Sequence, residues 1–303
     1  MSTTKIWQAL MILGILTAFL FSGCQSSSVE TSPVETQVTA TASEQEDTDA
    51  PTPLQPTETP VSLAAQVNGD AITIAEYQAE LARYRAAIGT ELATEYEELV
   101  MQELIDQFLM SQAAADAGFV VDDAMLQSRI DQLDIGVEAL GSWLNEHGYT
   151  DETFRSALGR SIAAAWMRDR IVAEVSQTAE QVHARQILLY NSDEADTVFN
   201  QLESGADFET LAEQYDPLHG GDLGWFPRGY LTVPELDDVI FSLSPGDYSP
   251  VTQTMLGFHI VQLIEKDTAY LLNPNAYRVV QTQTLEQWLQ DRRTQSEISI
   301  YSP

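Results

Sequence analysis

One cysteine, four histidines and 14 Lys and Arg residues among 303 positions set the first limits on this chain. With Cys24 as the only thiol, a disulfide framework is excluded. His147, His183, His219 and His259 have neither the i, i+4 spacing nor the neighbouring thiols of a zinc site, so no metal is expected. Against the 14 basic residues stand 46 acidic ones, giving a net charge of −32. Such a chain repels a phosphate backbone, and no local Lys/Arg cluster offsets that, so nucleic acid is not an expected partner. A G-x-S-x-G elbow, a Walker loop and a G-x-G-x-x-G after a strand are also missing, which leaves hydrolase and nucleotide chemistry without support.

What is present is a hydrophobic fraction of 44%, ordinary for packed cores, in a length suited to about two domains. Lys5 precedes an apolar run too short and too one-sided for a comfortable membrane span, which reads as a secretion signal over residues 1–23. Phe21-Ser22-Gly23-Cys24 resembles the lipobox of bacterial lipoproteins. That resemblance implies lipidation of Cys24, an extracytoplasmic location and an anchor in a bacterial cell membrane. Residues 25–62 are rich in Ser, Thr, Pro and acids, with no Lys, Arg or aromatic residue, and read with Cys24 as a disordered tether over 24–62.

Order is expected from Leu63. Two short apolar runs flank Asn68-Gly69-Asp70, and Thr73 with Glu76 forms a capping-box pattern, so a hairpin feeds a helix closed at Gly89. Ile74, Tyr77, Leu81, Tyr84 and Ile88 share one face of that helix. Further helices are predicted over about 91–117, 122–134, 136–147 and 151–176, with Leu99, Leu104, Phe108 and Leu109 as core. Residues 63–181 therefore read as a helical domain.

From Val182 the pattern becomes β, α, α, β, α, β, β. A strand lies at HARQILLY, helices over 193–204 and 207–215, a strand at GDLGWF, a helix over 234–242, and strands about 249–252 and 258–264. A last helix over about 276–293 and a short strand at EISIY complete residues 267–303, and the helix is expected to return to the N-terminal helical lobe.

The segments ARQILL, GADFETLAEQY, GGDLGWFPRGYLTVPEL, FSLSPGDYSPV and GFHIVQL, in that order over 182–266, resemble the parvulin family of peptidyl-prolyl isomerases. The VNGDAIT opening, the helical lobe and the returning helix are similar to secreted foldases of the PrsA and SurA type. The resemblance implies an α+β fold: a small antiparallel sheet with surrounding helices, joined to a helical chaperone lobe built from N- and C-terminal segments. It implies no cofactor, and as partners unfolded or newly exported proteins offering X-Pro segments. It also implies a proline pocket at Leu223, Phe226, Leu231, Leu236, Thr254 and Phe258, with His259 in the catalytic network.

Where the family carries a first histidine this chain has Gln186, and Asp216 is the nearest candidate acid. His183, at odd spacing along the strand, faces away from Gln186 and does not replace the missing ring. Glutamine donates and accepts hydrogen bonds but gains no charge, which implies reduced catalysis. Asp222 reads as a turn-capping residue and Arg228-Gly229 as the groove rim. The alternative is a holdase whose isomerase domain only binds. A further alternative is an envelope lipoprotein that reuses the fold in a structural or transport-associated role.

Overall fold

The computed structural model describes residues 62–88 and 93–301. The expected secretion signal, Cys24, the expected tether before residue 62 and Gly89 lie outside them. The fold is α+β. The chain divides into two compact units: one takes the described residues up to Ile105, Leu133–Phe154 and those from Glu297 onward, the other Asp106–Gln132 and Arg155–Ser296. No helix among the described residues is long and apolar enough to cross a membrane.

The first unit opens with the hairpin β1 (Leu63–Val67) and β2 (Asp70–Thr73). Asn68 and Gly69 both have positive φ, as a tight two-residue hairpin turn demands. Thr73 Oγ1 accepts the Glu76 N–H at 3.0 Å and caps α1 (Ile74–Ile88), which buries Tyr77 and Leu81. The C-terminal strand β7 (Ile298–Ile300) pairs antiparallel with β1, Ala65 opposite Ile300. In α4 (Val137–Glu146) Leu144 is buried, while Trp143 stacks on His147 at 4.3 Å.

The long helix α2 (Ala93–Asp116) buries Val100, Met101, Leu104, Ile105, Phe108 and Leu109, a stripe of period 3.6. Leu99 was expected in the core but is 41% exposed, because it lies off that stripe. The helix expected over 122–134 is confined to α3 (Asp123–Asp131), which has no buried residue; Asp134, at φ 51°, has left helical geometry. α5 (Asp151–Ala173) leads into the second unit's sheet.

That sheet is antiparallel, in the order β4-β3-β6-β5, from β3 (Thr178–Leu189), β4 (Asp222–Phe226), β5 (Thr252–Thr254) and β6 (Gly257–Leu271). β3 begins at Thr178, before the expected Val182, and β6 runs on to pair with it, Thr178 opposite Leu271. Residue 178–181 polarity hides this extension. The expected strand at 249–252 sits instead at 252–254, since Pro250 has no N–H for a ladder.

Side chains alternate across the strands, so the sheet has two buried faces. One packs Ile187, Leu189 and Ile260 against α6 (Ser192–Glu203) and α7 (Phe208–Tyr215) through Val198, Leu202, Phe208 and Leu211. The other packs Val182, Ala184, Val261 and Leu263 with Phe226 against α8 (Glu235–Ser242) through Leu236, Ile240 and Phe241. α9 (Pro274–Thr294) starts at Asn273, whose side chain caps Asn275 and Ala276, and ends in Arg292 and Arg293, which pair with Asp116 and Asp106.

Candidate functional site

The register sets Leu188 opposite His259 and Gln186 opposite Val261, so Gln186 and His259 are diagonal neighbours on the α8 face. His259 is 1% exposed. Its Nδ1 lies 2.9 Å from Gln186 Oε1 and its Nε2 2.9 Å from Thr254 Oγ1. Burial lowers the pKa of His259 and the charge of Glu235 partly opposes this, so the ring is neutral near pH 7. Because Gln186 Oε1 only accepts, Nδ1 carries the proton and Nε2 accepts the Thr254 hydroxyl. Thr254 Oγ1 in turn accepts the Leu256 N–H at 3.1 Å. The hydrogen bonds thus run in one direction, from the β5–β6 turn through Thr254 and His259 to Gln186.

The glycines of the loop before β4 let it close on β3. Gly221 has φ +67°, and a Cβ there would lie 1.9 Å from the Gln186 carbonyl oxygen, so only glycine fits. The Gln186 N–H donates to the Gly221 carbonyl at 2.9 Å. Asp216 holds that loop. Its carboxylate accepts from the N–H groups of Leu218 (3.3 Å), His219 (3.2 Å) and Gly221 (3.3 Å). Partial desolvation would raise the carboxyl, but those amides and the nearby His219 outweigh it and keep Asp216 below the usual carboxylate range. Its oxygens thus serve its own loop, one bond away from the Gln186 backbone.

Leu223 and Leu231 are partly buried and pack with Tyr230 on the cluster that contains Phe226 and Leu236. Phe226 and Leu236 are 0% and 2% exposed, so they are the floor beneath Leu223 and Leu231 rather than an open surface. Phe258 is not brought to this face. As the immediate neighbour of His259 it points the other way, and packs partly buried beside Tyr248 and Val251 against the Ile187 and Ile260 cluster.

His183 is also apart from Gln186. Its Nε2 lies 2.9 Å from Asp222 Oδ1, and its ring stacks on Trp225 at 5.6 Å. Asp222 Oδ1 accepts the Gly224 N–H at 2.9 Å as well. Partial burial of Asp222 would raise its carboxyl, yet Gly224, His183 and Arg185 together hold it low. Glu235, the charge felt by His259, carried no signal in sequence, because the helix-opening acid is ordinary there. Among the described residues no group of three or more His, Cys, Asp or Glu could hold a metal ion.

Comparison with known proteins places a PPIC-type PPIase domain over residues 170–267 and a SurA-like N-terminal domain over 57–155. The chain is 27% identical to the foldase protein PrsA of Halalkalibacterium halodurans, covering 69% of this chain and 71% of the relative. It is 26% identical to the foldase protein PrsA of Caldanaerobacter subterraneus, covering 66% of this chain and 72% of the relative. It is also 26% identical to the chaperone SurA of Pseudomonas syringae pv. tomato, covering 68% of this chain and 58% of the relative.

Proposed function

We infer, from a chain that belongs with the PPIC-type peptidyl-prolyl isomerases and carries a SurA-like N-terminal domain, that it rotates X-Pro bonds of unfolded proteins on the α8 face of its sheet. It is an isomerase and a foldase, and unfolded proteins are its substrates. The observation that carries the site is one face holding both the Gln186–His259–Thr254 chain and the partly exposed Leu223 and Leu231 over an apolar floor.

The uncatalysed barrier, about 18–20 kcal/mol, resides in amide resonance, and no covalent bond must break. A proline ring against Leu223 and Leu231 sheds water, and shedding water from the imide carbonyl favours the twisted state in which resonance is lost. Each drop of about 1.36 kcal/mol gives a tenfold rate. His259 is too buried to meet a client, so it acts by fixing Thr254 and Gln186, both partly exposed. The NH₂ of Gln186 is the donor left for a client carbonyl other than that of the imide, where a hydrogen bond would favour resonance. A glutamine there gains no charge, which reduces but does not abolish rotation.

The location and domain limits belong to the same reading. Cys24 carries the lipid anchor on the outer side of a bacterial membrane, residues 24–62 are the tether, and 182–266 is the catalytic domain. Residues 63–181 with the helix of 267–303 are assigned to the chaperone lobe, although Asp106–Gln132, the chain from Arg155 and that helix belong to the compact unit of the sheet. In the other unit Ile135, Val137 and Trp143, 45%, 87% and 36% exposed, offer apolar surface to clients.

Proline-limited refolding of a test protein checks the site. Wild type accelerates the slow phase, and Leu231→Asp, which puts a charge where the ring should lie, removes most of that acceleration. Equal acceleration by both proteins would take the pocket off this face.

A further inference from the structure

Gln283 lies on α9, beyond residue 267 where the match to the isomerase domain ends. Its side-chain amide donates to the Arg228 carbonyl at 2.9 Å. The neighbouring Gly229 has φ +71°, and a Cβ there would lie 1.9 Å from Gln283 Nε2, so the amide fills the space that glycine leaves. The Gly229 N–H donates to Asp237 on α8. Arg228 reaches back to α8, its guanidinium 4.4 Å from the Phe241 ring centre and 3.1 Å from Asp238. Tyr230 and Leu231 follow directly and pack on the Phe226 and Leu236 cluster.

α9 is itself anchored within the same unit. Tyr277 donates its hydroxyl to the Val175 carbonyl at 3.3 Å, and Gln281 its amide to the Val172 carbonyl at 3.3 Å. Arg292 pairs with Asp116 at 2.8 Å, and Arg293 Nε with Asp106 Oδ1 at 2.7 Å. Gln283 therefore projects from a fixed helix onto the loop that carries Leu231.

We propose that Gln283 is a positioning residue for the prolyl site, clamping the Arg228–Leu231 lip of the pocket from outside the isomerase domain. The proposal rests on Leu231 being a pocket wall. Without the clamp the lip must be ordered when a client binds, and that cost falls on binding rather than on rotation. Gln283 touches no substrate; it acts through the Arg228 carbonyl.

The test uses the full chain as wild type, Gln283→Ala and Gln283→Glu, with steady-state isomerisation of a Leu-Pro peptide and amide hydrogen exchange. Glutamate has the same length but accepts only, so against a carbonyl it separates hydrogen bonding from packing. For Gln283→Ala we expect exchange of the 229–232 amides and KM each to rise about fivefold, about 1 kcal/mol at 1.36 per tenfold, with kcat held within about twofold. Gln283→Glu should do at least as much, and exchange at Val261 and Leu263 should stay as in wild type. Unchanged exchange at 229–232 in both variants would overturn the clamp, and faster exchange with unchanged KM would overturn its role at the site. A wild type unable to turn over the peptide removes the prolyl reading instead, and exchange still decides whether Gln283 holds the loop.

Discussion

The two faces of the four-stranded sheet are made by the same strands yet differ in kind. Against α6 and α7 the fully buried residues of β3 and β6 are apolar, Ile187, Leu189 and Ile260, and the polar Arg185 on that face turns to Glu209 of α7 at 3.1 Å. Against α8 the alternate positions bring Ala184 and Val261 together with Gln186 and the fully buried His259. A fold that needed only stability would treat both faces alike, because a buried polar group contributes little unless every bond is made. The second face accepts that constraint, and it is the face with partly exposed leucines at its edge.

Removing bulk from the apolar face tests the contrast most severely. Ile187 is fully buried, and Ile187→Ala should cost about 2–5 kcal/mol of unfolding free energy in a denaturant titration, leaving the activity of the folded fraction near wild type. On the polar face, His259→Ala leaves Gln186 and Thr254 without their shared partner. It should cost about 1–3 kcal/mol and also slow catalysis of refolding, a double effect absent from Ile187→Ala.

A smaller effect follows from pH. Burial holds the pKa of His259 below its ordinary value, with Glu235 opposing. The unfolded chain then binds the proton more tightly than the folded one. The stability tied to this ring is complete above the unfolded value of about 6.5 and is lost as pH falls from there through the lowered folded value. Wild type should therefore lose more stability than His259→Gln between pH 7.5 and 5.5, read as the difference of their melting temperatures. Parallel curves for the two proteins would mean that His259 does not resist protonation.

Much of the order of elements was legible, because alternation, turn glycines and cap residues are local signals. Asn68-Gly69 gives its hairpin, and Thr73 caps α1 with its own side chain. Contacts made at a distance left less trace. Leu99 looked like core until the buried stripe of α2 was fixed by its neighbours, and the polar residues 178–181 hid a strand that exists because residues 267–271 pair with it. Phe258 shows the limit of reading by motif: beside His259 in sequence, it faces the other cluster. Gln283 sits 55 residues from Arg228, in a helix whose surface pattern is unremarkable.

The smallest change on the polar face is Gln186→His, which restores a ring that can take a charge while keeping a partner for His259. It should alter stability by less than about 1.5 kcal/mol and raise the isomerisation rate several-fold, measured on a proline-containing peptide. A rate equal to wild type would show that charge at position 186 is irrelevant to rotation.

The two-face account is tested most directly by titrating the isotope-labelled full chain with a short Leu-Pro peptide and mapping the shifted amide and methyl signals. The account predicts shifts at Gln186, Leu223, Leu231 and Thr254. Shifts confined to Phe199, Tyr248 and Phe258, on the opposite face, would contradict it.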